Sequence, residues 1–513
     1  VYHDMQYAQS GHAPAGSATE DAELRHMVRR LSHHASIVMW DGCNECRVIM
    51  GTDTAIYATF VMTVVAQEDA SRAVWPSCPA LGWTTGVHKL DATPNGNALT
   101  TPKDGKTLET HGPYLHGTGF PAVNGAAKLQ LFDANLPIKV TEAPTGVDVP
   151  NVFASEFGAV VMSSFESMSP TLLPYHWSLH ASQPPDTCGG GFGKTCVGPN
   201  VMAERNYPCD NLIDVYFGTK GENYFNVSSE ANFKAQLYQC QLSQALYMKS
   251  NIETRRAQNQ LGHLVWQYNE IWPTGGWGSI EYGSPRPGQV LGGRWKPLQY
   301  FYRRSIFADV MATCGDGGAC YVRNDRAGRP FEGSCTVASL EFATGASKTV
   351  HTLDLTGKSA LAPGAGVTRF FTVDLSAVDA ATHMLTASCA PVAADAVTTS
   401  FVRAGAVGAS GAADASLNEI LLAPPAALTL PPAAVSATVA KTANADGTVD
   451  VTLKANATAL YVTLTTAAQG RFTDNAFAVT AAAAQVVQFV PFDGFDKGEL
   501  ERTLRVEHLA ERL

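Results

Sequence analysis

The stretch Ala35-Ser36-Ile37-Val38-Met39-Trp40-Asp41-Gly42-Cys43-Asn44-Glu45 decides how the rest of this chain is read. It begins as a run of apolar and β-branched residues bounded by His33-His34 and Gly42, too short for a globular helix and suited to a buried parallel strand. Past the turn stand an amide and a carboxyl, Asn44 and Glu45, where a strand of a (β/α)8 barrel delivers functional groups at its C-terminal mouth. The plain alternative is a surface carboxylate in a loop. Other segments must decide between them.

Upstream, Glu20 to Leu31 places Leu24, Met27, Val28 and Leu31 at the spacing of an amphipathic helix, so a helix leads into this strand. Val1 to Ala8 reads as a strand end with Asp4 beyond it, and Ala73 to Pro76 as another short strand. Val152 to Gly158 is a second apolar strand that ends in a carboxylate, Glu156. Phe233, Leu237, Leu242, Ala245, Leu246 and Met248 predict a long helix over 230–260, and Leu261 to Pro273 a third strand. This alternation is α/β. Roughly residues 82–125 form a connection rich in Gly, Pro, Thr and Asn; its His111 and Tyr114 either wall a binding cleft or belong to a solvated loop. Trp266, Trp272 and Trp277 either stack on a sugar or fill a core, and at least one is expected in the core.

Beyond residue 308 the texture is all-β, with alternating runs at Ala319 to Arg323, Cys335 to Phe342 and Val367 to Leu375 between Gly and Asp turns. After a Gly, Ala and Ser-rich linker, Ala404 to Ala415, five more short strands follow from Ile420 to Val490. The expected architecture is a multidomain α/β plus all-β chain. A partial (β/α)8 TIM barrel over 1–308 precedes two immunoglobulin-like β-sandwiches over 309–403 and 416–513. A length of 513 residues agrees, since about 150 residues per domain gives about three.

A net charge of −10 with no long basic run argues against a nucleic-acid surface or a polybasic membrane contact. No run approaches eighteen consecutive apolar residues, so no membrane-spanning helix is expected. Eleven cysteines include Cys188 and Cys196 around a Gly-rich loop, Cys314 and Cys320 around a polar turn, and Cys335 and Cys389 in the β-rich part. With the sequons at Asn226 and Asn456 they suit an oxidising compartment, lysosomal or secreted. No paired Cys-x-x-Cys clusters predict zinc, and Cys43 to Cys46 alone lacks thioredoxin-like surroundings. Gly189 to Thr195 resembles a phosphate loop, but Cys188 replaces its first glycine and no strand precedes it. No metal or cofactor is expected.

Two glutamates on different strands of one barrel, with aromatics nearby, meet the needs of a retaining glycosidase. At this point several motifs carry a family resemblance. Trp40-Asp41-Gly42-Cys43-Asn44-Glu45, Ala154-Ser155-Glu156-Phe157-Gly158, Trp266 to Trp272, Gly278 to Gly283 and Arg294 to Tyr300 resemble glycoside hydrolase family 2, specifically its β-mannosidases. The resemblance implies that Glu45 is the acid/base, Glu156 the nucleophile, and Asn44 a partner of the sugar 2-hydroxyl. It also implies Trp266 under the ring. Trp40, Trp272, His111 and Tyr114 complete the expected substrate-binding set. The implied substrate is a terminal non-reducing β-D-mannose on an oligosaccharide or glycan. Alternatives are an endo-β-mannosidase or exo-β-glucosaminidase of the same family, or a truncated non-catalytic carbohydrate-binding protein. The chain opens near the third strand of such a barrel, so upstream domains are expected to be missing and the chain inactive or unstable alone.

Overall fold

The computed structural model describes residues 1–8, 13–46, 48, 51–75, 77–78, 109–115, 138–140, 153–180, 201–205, 209–218, 220, 222–260, 262–286, 289–305, 307–326, 328–362, 367–392 and 416–513. Cys188, Cys196, the glycine-rich loop between them and the linker Ala404 to Ala415 lie outside the described residues. The chain divides into two compact units: Val1–Pro113 with Ala143–Phe157 and Asn259–Val265, and Tyr114–Glu142 with Gly158–Gln258 and Trp266–Leu513.

The first unit opens with β1 (Tyr2–Asp4), α1 (Ala18–Leu31) and β2 (Met39–Asp41). A π-helical segment, Tyr57–Met62, runs into α2 (Thr63–Glu68), and β3 (Ala73–Trp75) follows. The three strands are parallel in the order β1-β2-β3, which is the arrangement helical crossovers impose. Ser17 and Glu20 form a capping box that starts α1, and Arg25 and Arg29 of α1 both grip Glu68 of α2, at 2.8 and 2.5 Å. Leu24 and Val28 face inward with Val61 and Val65, so the apolar stripe read from sequence is the packed one.

The strand expected over Ser36 to Trp40 is shorter and later than its apolar run. Ile37 spends its N–H on the His34 carbonyl in a turn, whereas the N–H of exposed Val38 reaches the Val1 carbonyl at 2.8 Å, and residue-to-residue pairing with β1 runs from Met39. The pairing then persists beyond β2, because isolated parallel bridges join Ala8 to Asn44 and Asn44 to Cys78.

A second sheet has the order β4 (Glu109–Leu115), β5 (Phe153–Ala159) and β6 (Gly262–His263), with β5 and β6 parallel. Phe153 packs edge-on against Trp75 at 5.7 Å and lies 6.0 Å from Tyr2, which sets the start of β5 beside β1 and β3. Among the described residues these strands make two three-stranded sheets, and their hydrogen bonds do not close a barrel. Of the third strand expected over Leu261 to Pro273, only Gly262–His263 is paired; from Tyr268 onward the backbone folds back on Ser279 and Ile280.

In the second unit the helix Glu230–Ala257 is buried along nearly its whole length. Its buried glutamines have partners: Gln244 donates to the Ala159 carbonyl at 2.7 Å and Gln241 to that of Met162 at 3.2 Å. A disulfide joins Cys240 to Cys209, a pairing the cysteine spacing gave no hint of. Glu253 accepts from Thr313 at 2.6 Å and Asn418 at 3.2 Å, anchoring the helix to the first sandwich, while the Tyr238 hydroxyl reaches the Tyr461 carbonyl of the second at 2.9 Å.

Each sandwich is a four-stranded and a three-stranded sheet around its own core. Disulfides Cys314–Cys320 and Cys335–Cys389 join directly opposed residues on neighbouring strands. The strand Ser416–Leu421, read from sequence as opening the second sandwich, instead pairs with His383–Pro391 and completes the four-stranded sheet of the first. Its apolar face is shared with that sheet, since Ile420 and Leu422 belong to the first core.

Candidate active site

Beyond β2 the backbone is held on both sides: Asn44 donates to the Tyr7 carbonyl at 3.0 Å and Glu45 to that of Cys78 at 2.6 Å. A disulfide between Cys43 and Cys46 closes the turn between these anchors. Glu45 therefore sits at the apex of a short loop with φ +56°, a left-handed conformation that costs a non-glycine residue about 1–3 kcal/mol. Such outliers persist where the surroundings over-determine them.

Three strands converge on this apex. His111 of β4 is only 5% exposed at its side chain, and its Nε2 lies 3.1 Å from Glu45 Oε1 and 3.9 Å from Oε2 of Glu156 on β5. Its Nδ1 faces Ser155 Oγ at 3.1 Å and Cys78 Sγ at 3.2 Å. With the proton on Nε2 the ring donates to Glu45 and accepts at Nδ1 from the hydroxyl or thiol; with the proton on Nδ1 those roles reverse. The Glu45 and Glu156 side chains are 34% and 12% exposed, so neither is sealed in the core. Ligand atoms of Glu45, His111 and Glu156 all lie within 4.8 Å of one another.

The remaining expected residues divide. Asn44 stands beside Glu45 with its Oδ1 buried and lacking a partner among the described residues. Trp40, expected to touch substrate, is fully buried: its Nε1 donates to Asp69 at 3.0 Å, and the ring belongs to the core of the first unit. Burial alone would raise the Asp69 carboxyl, but bonds from Ser71, Trp40 and Arg72 bring it down to about 2. Tyr114, Trp266 and Trp272 belong to the second unit. There Tyr114 packs edge-on against Trp277 at 5.6 Å, while Trp266 and Trp272 are exposed together with Tyr268 and Ile271. Trp277 is thus the packed member of the three tryptophans. Gly158 at the end of β5 admits both neighbours, since a Cβ there would lie 2.2 Å from the Trp266 carbonyl oxygen and 2.8 Å from the Trp277 ring.

Sequence reasoning missed Ser155 and Cys78, which bear on His111, and it missed the use made of a second Asn-Glu dipeptide. Glu270 and Lys296 form an ion pair with side chains 1% and 0% exposed. The Glu270 carboxylate also accepts the Gly278 N–H at 2.9 Å, and Lys296 donates to the Val161 carbonyl at 3.2 Å. Burial pushes the Glu270 carboxyl up, against the pull of Lys296. A cationic signal was present in Trp295-Lys296-Pro297, but nothing in it named its partner.

Residues 430–512 match a family described as an Ig-fold domain, Ig_mannosidase. The chain is 27% identical over 325 residues to β-mannosidase A of Aspergillus oryzae, covering 57% of this chain and 30% of that protein. It is 25% identical over 315 residues to the β-mannosidase of Capra hircus, covering 56% and 29%. Among solved structures, a β-D-mannosidase from Dictyoglomus thermophilum superposes with a TM-score of 0.60 at 19% identity, over 99% of this chain and 52% of that one. The exo-chitosanase CsxA of Amycolatopsis orientalis does so with a TM-score of 0.56 at 14% identity, over 95% and 52%. The matched region is thus under a third of the curated relatives and about half of the solved ones. Residues 430–512 thus resemble an Ig-fold domain of the mannosidase kind, and the chain is similar in sequence to β-mannosidases and in fold to a β-D-mannosidase and an exo-chitosanase.

Proposed function

We propose that the chain carries the catalytic pair of a retaining exo-glycosidase that removes terminal non-reducing β-D-mannose from oligosaccharides or glycoprotein glycans. In this reading the two three-stranded sheets β1-β2-β3 and β4-β5-β6 are arcs of a (β/α)8 barrel, and the protein works in a lysosomal or secreted setting. Glu156 attacks the anomeric carbon as the glycosidic bond breaks, and Glu45 gives its proton to the leaving oxygen. Glu45 then takes a proton from water, whose oxygen displaces Glu156 and releases mannose. Asn44 binds the 2-hydroxyl.

The observation that carries the reading is the approach of the two carboxylates, whose oxygens lie within 4.8 Å of one another around His111. Direct displacement requires carboxyls about 5–5.5 Å apart, whereas an inverting pair needs about 6.5–9.5 Å to seat a water. The four disulfides among the described residues favour the oxidising compartment. Likeness in fold to an exo-chitosanase keeps an exo-β-glucosaminidase as a second reading.

The test is a panel of aryl β-glycosides. Mannoside turnover, with a 2-fluoro-mannosyl label recovered on Glu156, is expected. Preference for glucosaminide, or a label on another residue, would reject the assignment.

A further inference from the structure

We propose that Glu45, His111 and Glu156 form a binding site for one divalent transition-metal cation, with Zn2+ the ion that fits best. The three donor atoms already lie within 4.8 Å of one another. A tetrahedral ion with ligands at about 2.0–2.2 Å needs them roughly 3.4 Å apart. Glu45, with a side chain 34% exposed on a loop apex, has room to close that difference by rotation.

The imidazole supplies a second, independent argument. Nε2 is the nitrogen aimed between the carboxylates, and to ligate it must give up its proton, which then resides on Nδ1. Nδ1 needs an acceptor, and Ser155 Oγ stands 3.1 Å away. That support behind the ring is what orients a metal-ligating histidine. Cys78 Sγ, 3.2 Å from the same Nδ1, lies behind the ring as well, so the donor set is one nitrogen and two oxygens. This mixture suits Zn2+ or Co2+; Mg2+ and Ca2+ favour oxygen alone. Two carboxylates offset the ion's charge, and a fourth position remains for water.

Under the hydrolytic reading above, the ion competes for the Glu45 oxygen that must hold the catalytic proton. Zinc is therefore an inhibitor there and not a cofactor. This consequence rests on that reading, whereas binding itself does not.

The test is calorimetric titration of the full chain with zinc chloride in a non-chelating buffer. One site of micromolar affinity is expected, weakened by at least about 10-fold in His111→Ala, Glu45→Gln and Glu156→Gln. It should be unchanged in a His33→Ala/His34→Ala double variant, which removes a surface histidine pair instead. Co2+ should give a visible absorption band that His111→Ala abolishes. Zinc should also protect His111 of the unsubstituted chain from diethyl pyrocarbonate, read by peptide mass spectrometry, which needs no variant to fold. Equal modification of His111 with and without zinc, or affinity indifferent to all three substitutions, overturns the proposal. Zinc binding in a chain that turns over no glycoside would count against the glycosidase reading and leave the cation site standing.

Discussion

Of the three Asn-Glu dipeptides in the chain, Asn44-Glu45 in the first unit and Asn269-Glu270 in the second leave their carboxylates in opposite settings. Glu45 sits on an exposed apex beside an imidazole, reachable by solvent. Glu270 is sealed, its charge matched by Lys296 and its oxygens fitted against Gly276, where a Cβ would lie 1.7 Å from Oε2. A carboxylate whose every partner is protein can hold a fold together but cannot exchange a proton with a substrate. Access and neighbours, not the residues' identity, set the two carboxylates apart.

The sharpest way to test this contrast is Glu45→Gln. Turnover should fall on the order of 10²–10⁴-fold while the thermal midpoint stays put, as befits a general acid/base. A large loss of stability would make Glu45 another structural carboxylate. Lys296→Met should show the reverse, a loss of roughly 3–5 kcal/mol in denaturant melts, because Glu270 is left buried without its counter-ion. Adding Glu270→Leu to Lys296→Met should recover most of that loss. Gly276→Ala attacks the same pair by volume alone and should cost roughly 2–3 kcal/mol by overpacking.

The smallest expected effect is acid sensitivity in the first unit. Asp69 falls from an ordinary aspartate value to about 2 in the folded chain, so its contribution is complete above the unfolded value near 4 and fades as pH drops toward 2. Asp69→Asn should remove about 2 kcal/mol at neutral pH and little at pH 2. Equal losses at both values would mean that the Trp40 and Arg72 contacts work without the charge.

Much of this was legible in the residues, for identifiable reasons. The Ser17/Glu20 cap and the Leu24-Val28 stripe announce α1, since helix starts and faces are local features. Glu45 and Glu156 stood out because each follows an apolar run in the sequence; in the structure Glu45 lies past the end of β2 and Glu156 in the middle of β5, and both reach one imidazole. Trp40 was misplaced because it adjoins Asn44-Glu45 in sequence, while its ring points into the core toward Asp69. The end of the first sandwich was missed because Ser416–Leu421 has the same alternation as the strands after it, and only pairing assigns it to a sheet. His111 offered no strand pattern either: β4 carries Gly112 and Pro113, which read as loop. Ser155 and Cys78 became informative only once three strands had converged.

The left-handed backbone at Glu45 has a further consequence. Glycine or asparagine would rest there more easily, so the substitutions that relax this turn are those that delete the carboxylate. Under the catalytic role proposed for Glu45, selection for a sturdier protein and selection for a reactive one pull in opposite directions at this codon. A descendant freed from its chemistry should drift first at position 45, gaining stability as it falls silent.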